Sequence, residues 1–174
     1  CSTKLVKGKL FSYPMDAIRQ DVKSHLKTGC REIWITSNDT GAYMVDQGGK
    51  QKLSELLENI LSVPLDFKVR VGMMNPGNTI TILDQLIEIY KNPKMFKFLH
   101  IPVQAGNNEI LKSMNRRYSA EDFINVVEAF RKEIPEITIS TDIIVGFPSE
   151  TEEQFNDSLK IIQKTRPDVL NISR

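Results

Sequence analysis

Cysteine and histidine are both scarce: the chain has two of each in 174 residues. Cys1 and Cys30 cannot build a disulfide framework, which excludes the stapled secreted scaffolds and favours a reducing, cytoplasmic setting. No apolar run is long enough to span a bilayer, and no signal-peptide pattern opens the sequence, so no membrane partner is expected. Neither sign of charge dominates, with Lys+Arg 23 against Asp+Glu 22 and a formal net charge of +1. That balance excludes a nucleic-acid footprint spread over the whole chain, although a local basic patch can hide inside a neutral total. Several catalytic signatures are also missing. There is no Walker loop, no Gly-x-Gly-x-x-Gly, no His-Glu-x-x-His and no nucleophile elbow, so phosphate-loop, zincin and serine-hydrolase readings have no motif behind them.

What is present is a repeated alternation between helical spacing and short β-branched runs. Residues 14–28 place Met15, Ile18, Val22 and Leu26 on one stripe, with Pro14 suited to a first turn and Gly29 to a stop. Strands are predicted at 31–37, 67–75, 96–104, 137–147 and 168–173. Helices are predicted at about 50–62, at 78–92 with Asn78 or Thr79 near the cap, over Asn107–Asn115, at 119–134 and at 150–166. The helix at 119 opens on a Ser-x-x-Asp capping box, Ser119 to Asp122. Strands returning every 30 to 40 residues with helices between them are βα units, hence a parallel sheet with right-handed crossovers. No linker or composition break divides residues 1–174, so one domain is expected. A closed eightfold barrel takes about 250 residues. The expected fold is therefore α/β, a partial (β/α) barrel of parallel strands or an open sheet, incomplete at both ends.

In such folds function gathers where strands end and loops begin. Those slots hold Thr36 to Gly41, Met73 to Asn75, His100, Gln104 to Asn108, Thr141 and Asp142, the run Gly146 to Thr151, and Asn171 with Ser173. The set is rich in amides and hydroxyls and poor in matched acid–base pairs, which suits hydrogen bonding to a nucleoside or amino-acid moiety better than hydrolysis. Structural readings stand beside these. His100 in an apolar strand serves as readily as a hydrogen-bonded core histidine as it would as a catalyst. Asp142 must be paired or face a polar cavity, because an unpaired buried carboxylate is costly. Glu150 reads as a favourable charge in a helix N-terminal turn. Arg116 and Arg117 beside Tyr118 suit a solvated helix end, or phosphate or carboxylate binding. Cys30 reads as a small buried hydrophobe, and Cys1 alone is not a metal site.

Four stretches, "CSTKLVKGKLFSYP", "EIWITSNDTGAY", "LHIPVQAGNNEILKSMNRRYSAEDF" and "TDIIVGFPSETEEQF", resemble in order and spacing the radical S-adenosylmethionine domain of the methylthiotransferases. The resemblance covers essentially the whole chain. "WITSNDTGAY" together with "SYP" looks most like the archaeal and eukaryotic branch that acts on N6-threonylcarbamoyladenosine of tRNA. Alternatives are a relative acting on isopentenyladenosine tRNA, on a ribosomal protein or on a small molecule.

The resemblance implies a partial TIM-like barrel of about five to six parallel strands. It implies two 4Fe–4S clusters in an intact parent, S-adenosylmethionine as cofactor and tRNA as substrate, and leaves the reductant and the sulfur donor open. A parent would carry an N-terminal methylthiotransferase domain, a first barrel strand and a C-terminal TRAM domain that are not in these 174 residues. Cys1 matches the third cysteine of the family's Cys-x3-Cys-x2-Cys cluster loop, so no stable cluster is expected on the chain by itself. Ser37, Asn38, Asp39 and Thr40 match the position at the methionyl amino group, and Gln104, Gly106 and Asn107 the nucleoside side. Arg116 matches an arginine of the cofactor pocket, and Asp142 and Glu150 belong to the segment lining the adenine. The usual "GFPGET" stands here as "GFPSET", with Ser149 for glycine, a change the turn is expected to tolerate. The implied chemistry is radical hydrogen abstraction from C2 of the adenosine, followed by addition of sulfur and a methyl group.

Overall fold

The βα rhythm is realised strand by strand in a computed structural model, which describes residues 2–174 and side chains from residue 5 onward. Cys1 therefore lies outside the described residues. In chain order the elements are α1 (Ser2–Lys7), α2 (Met15–Lys27), β1 (Glu32–Ile35), α3 (Leu53–Leu61), β2 (Lys68–Val71), α4 (Pro76–Ile80), α5 (Leu83–Lys91), β3 (Phe98–His100), α6 (Asn108–Ser113), α7 (Ala120–Glu133), β4 (Thr138–Ile144), α8 (Glu152–Thr165) and β5 (Val169–Ser173). Two short 3-10 turns, Thr40–Ala42 and Val45–Gln47, follow β1.

All strand pairings are parallel. β1 pairs with β2, and β3, β4 and β5 form a second ladder in that order. The two ladders meet through the bridge of Val69 with Met95, and Met74 N–H donates to His100 O at 3.0 Å. The strands thus follow one another in chain order, five in an unclosed arc, as in part of a (β/α) barrel.

Alternation along the strands sets the two faces. Ile33, Val69, Val71, Leu99, Ile139 and Ile143 pack against the helices, where Leu53, Leu56, Leu57 and Ile60 of α3 and Phe123, Val126, Val127 and Phe130 of α7 are all buried. Each such side chain contributes about 1.5–3 kcal/mol by leaving water. The opposite, inner face carries Trp34, Arg70, Phe98, His100, Asp142 and Asn171. No helix among the described residues is long and apolar enough to cross a membrane.

The segment after Cys1, to which the sequence reading assigned no element, forms α1: Lys and Leu favour a helix, and Gly8 at φ +76 ends it. Two local expectations are corrected. The helix expected at 78–92 is two helices. Asn75, not Asn78 or Thr79, caps the first, its side chain accepting from Gly77 N–H at 2.8 Å, and Pro76 takes the first turn. The chain then breaks at Thr81, whose hydroxyl donates to Asn78 O at 2.8 Å, and α5 restarts after Ile82. Glu150 stands outside α8, because Thr151 and Gln154 form the capping box there. Ser149 adopts φ +70, the region glycine prefers and one that costs other residues about 1–2 kcal/mol, and the turn still closes through Gly146 N–H on Glu150. The capping box at Ser119 and Asp122 forms as read.

Candidate functional site

The ends of four successive strands bring most of the sequence-selected residues to one edge. After β1, Ser37 Oγ accepts from Asp39 N–H at 3.1 Å, turning the chain so that Asp39 reaches across to the loop after β2. There its carboxylate accepts from Asn75 N–H at 3.0 Å and Asn78 Nδ2 at 2.7 Å. Asn78 Oδ1 in turn accepts from Gln51 Nε2 at 2.8 Å. Asp39 is thus a brace between two strand ends. Asn38 is exposed beside it, and Thr40 is buried with its backbone N–H on Met73 O at 2.9 Å.

Beyond β3, Gln104 takes φ +71 and forms a bridge with Ile143, its N–H on Asp142 O and its O receiving Ile144 N–H, both at 2.9 Å. The backbone twist turns the chain onto α8. Gly106 N–H donates to Ser158 Oγ at 2.7 Å, and Asn107 Nδ2 to Asp157 Oδ2 at 2.9 Å. Asn107 Oδ1 caps α6 by accepting from Glu109 N–H at 3.0 Å. Lys160 and then Asn107 hold the Asp157 carboxyl below its ordinary range. Gly106 and Asn107 are therefore committed to joining α6 and α8, which leaves Gln104 as the side chain of that trio nearest the strand ends.

Asp142 has the partners its burial requires. His100 Nε2 donates to Oδ2 at 2.8 Å, and Asn171 Nδ2 to Oδ1 at 2.7 Å. The pair is a quarter exposed on each side, so it borders the inner face rather than being sealed in the core. No serine hydroxyl bonds His100 among the described residues, so the three are a hydrogen-bonded network and not a nucleophile triad. Glu150 Oε2 accepts from Gly146 N–H at 2.7 Å, closing the turn after β4.

Three polar atoms of the selected residues are buried with no partner: Thr40 Oγ1, Arg116 Nε and Glu150 Oε1. Buried polar groups are paired in most proteins, so each of these three atoms retains an unused hydrogen-bonding capacity within the described residues. Tyr118 is buried, and its hydroxyl donates to Val103 O at 3.1 Å. Burial pushes its pKa up to about 12, with the Arg116 charge working against the rise and the Asp39 charge adding to it.

Sequence reasoning missed two features. Ser12 of "SYP" clasps the loop after β1: its N–H and hydroxyl donate to Asp46 at 2.9 and 2.6 Å, and Met44 N–H donates to its Oγ at 2.9 Å. On the inner face, Arg70 lies between Trp34 and Phe98, its Cζ 4.7 Å and 4.3 Å from the two ring centroids. The signal for the latter was a large aromatic and an arginine interrupting the β-branched runs "EIWI" and "KVRV".

An unclosed arc of parallel strands in chain order, with helices outside and polar residues at the strand ends, defines a partial (β/α) barrel. The chain belongs to the radical SAM superfamily, whose family model matches residues 1–162. Among curated relatives, a probable threonylcarbamoyladenosine tRNA methylthiotransferase of Archaeoglobus fulgidus is 51% identical over 174 residues, all of this chain and 41% of its own length. The threonylcarbamoyladenosine tRNA methylthiotransferase of Drosophila melanogaster is 41% identical over 95% of this chain and 30% of its own. The chain therefore spans about two fifths or less of the curated relatives it matches. Of solved structures, the radical SAM enzyme coproporphyrinogen III oxidase of Escherichia coli superposes with TM-score 0.65 at 20% identity, over 91% of this chain and 36% of its own. The cobalamin-dependent enzyme OxsB superposes with TM-score 0.69 at 10% identity, over 92% and 23%. Both likenesses are of fold.

The family implies S-adenosylmethionine and a 4Fe–4S cluster. The described residues suit the first: amides, hydroxyls and the three unpartnered polar atoms stand at the strand ends. They do not suit the second. No three His, Cys, Asp or Glu among them converge as metal ligands. Cys30, read as a small buried hydrophobe, is only half-buried and donates its thiol to Glu32 O at 3.1 Å, before β1 and so at the opposite edge.

Proposed function

We propose that this chain is the radical S-adenosylmethionine core of a tRNA methylthiotransferase that adds a methylthio group at C2 of threonylcarbamoyladenosine beside the anticodon. The observation that carries the reading is identity above 40% along nearly the whole chain to relatives of that name from both an archaeon and an insect. A parent of this kind would hold two 4Fe–4S clusters, bind tRNA and work in the cytoplasm, with residues 1–174 as one unit of it. S-adenosylmethionine, when bound beside a reduced cluster, supplies the one-electron cleavage chemistry of the superfamily.

The chain's own residues would bind and orient that cofactor. Ser37, Asn38 and Thr40 line the methionyl side, with Asp39 bracing their loop. Arg116 is placed for the cofactor carboxylate, its Nε being buried without a partner. Gln104 faces the nucleoside, and Gly106 and Asn107 fix its position through α8. Asp142 and Glu150 stand on the adenine side, Glu150 with one free buried oxygen. Cys1 would be one thiolate of the cluster loop.

Nucleoside mass spectrometry of tRNA from a strain lacking the full-length parent tests this. The methylthio-threonylcarbamoyladenosine species is expected to vanish, with threonylcarbamoyladenosine accumulating. An unchanged nucleoside profile refutes the assignment.

A further inference from the structure

We propose that Arg70 is the anchor for the carboxylate of the substrate's threonylcarbamoyl group, and that it makes the enzyme choose this nucleoside over adenosines with an uncharged N6 substituent. The inference rests on the functional reading above, since only that substrate brings the carboxylate.

Arg70 is held between two aromatic rings. Trp34 and Arg70 are register partners on β1 and β2, so their side chains leave the sheet together on the inner face. Phe98 of β3 closes the other side, and the guanidinium carbon lies 4.7 Å and 4.3 Å from the two ring centroids. Two flanking rings hold a guanidinium by cation–π attraction and limit the directions in which its planar fork can point.

The second observation is what Arg70 lacks. A guanidinium carries five N–H donors. Among the described residues none of Arg70's donors is hydrogen-bonded, and no carboxylate lies within ion-pair distance. Arg131, by contrast, is engaged with Thr165 O, Arg166 O and Asp168. Lys68, the nearest cation along β2, is turned away to Pro93 O at 2.6 Å. On the inner face His100, Asp142 and Asn171 satisfy one another, Glu32 shares the face but forms no ion pair among the described residues, and Arg70 is half-buried. It is thus a positioned, uncompensated cation on the inner face, and a carboxylate is the group its fork takes in two parallel bonds.

The third is chemical. A threonylcarbamoyl group ends in a carboxylate, whereas an isopentenyl group has no acceptor. Sites built around a polar contact reject ligands that lack it far more strongly than apolar pockets reject an extra methylene, because the protein's own group is left unpaired. Trp34 is 59% exposed, so its indole is open to a ligand's apolar surface beside the cation.

The test uses the full-length parent with its clusters reconstituted, S-adenosylmethionine, a chemical reductant, inorganic sulfide as the sulfur source and two tRNAs. One carries threonylcarbamoyladenosine, and the other has its threonyl carboxylate converted to the carboxamide. Methylthiolation is followed by mass spectrometry and kcat/KM is measured for each. The wild type is expected to prefer the acid on the order of 100-fold. In Arg70→Gln that preference should fall to about threefold or less, mainly through KM for the acid, while Arg70→Lys keeps the charge, loses the fork and retains part of it. Should Arg70→Gln fail to fold, the Arg70→Lys loss of preference is the deciding readout. Equal losses on both tRNAs, or a preference unchanged in both variants, overturns the proposal. A wild-type enzyme that prefers neither tRNA overturns it as well. A wild type that modifies neither tRNA instead removes the functional reading on which it rests.

Discussion

At the scale of single residues, Gly106 shows most directly why a motif position is what it is. A Cβ built there would lie 2.5 Å from Asp157 O and from the Ser158 backbone N and Cα. These are backbone atoms of α8, so no rotamer change relieves the clash. Gly106→Ala must push α8 off the sheet edge and stretch the 2.7 Å bond to Ser158 Oγ. Overpacking of this kind costs about 1–3 kcal/mol, and a thermal melt should show Tm lowered by several degrees. A melt within about one degree of the parent would show that α8 yields freely. The sequence marked Gly106 as a site position but gave no hint of α8, since the contact joins residues from separate βα units. Asp142 was more legible. A carboxylate in an apolar strand demands partners wherever it sits, and it has His100 and Asn171. Arg70 was legible only as an arginine interrupting a β-branched run. Its two aromatic walls come from different strands, a pairing that no local pattern records.

At the scale of elements, strand positions were readable because β-branched runs bounded by turn residues have few other uses. Helix limits were less so. The apolar period runs through 78–92 without a fault, and at the break the Thr81 hydroxyl sits between two acceptors, Asn78 O and Gln51 Oε1, that share its one proton. One of these partners lies a whole βα unit away, beyond what any local pattern records. The pairing of "SYP" with "TGAY" has a similar tertiary cause. Ser12 and Asp46 clasp the segment ahead of α2 to the loop after β1, and Tyr43 Oη adds a bond to Tyr13 O at 2.9 Å. The Ser12 hydroxyl, with its N–H in support, holds the Asp46 carboxyl below its ordinary value, while slight burial opposes it. A depressed folded pKa means the clasp contributes fully above the unfolded value, about 3.9, and is lost as pH falls through the lower folded one. The Ser12 and Met44 amide resonances should therefore titrate together with a midpoint below about 3.9. In Ser12→Ala the Asp46 midpoint should move up toward the ordinary value. A midpoint at or above that value in the parent sequence would mean that the clasp does not form in solution.

At the scale of the whole molecule, the chain divides the superfamily's chemistry unevenly. The edge that would receive S-adenosylmethionine is assembled from loops after β1, β3 and β4, and three of its polar atoms await a partner. Iron is another matter. A 4Fe–4S cluster needs three or four thiolates on one site, and the 174 residues contain only Cys1 and Cys30. Cys30 is no substitute, because it precedes β1 and donates to Glu32 O at the edge of the sheet opposite the one carrying the strand-end loops. A parallel strand fixes that separation: its two ends cannot exchange places without unfolding β1 from its register with β2. Anaerobic reconstitution of these 174 residues with iron and sulfide should accordingly yield well under one cluster per chain, with any colour lost to a chelator. Iron and acid-labile sulfide counted per chain, together with the visible absorbance, decide the matter. A stoichiometric, chelator-resistant cluster would mean that thiolates of different copies had come together, and would overturn the view that Cys1 and Cys30 of one chain do not suffice to hold a cluster.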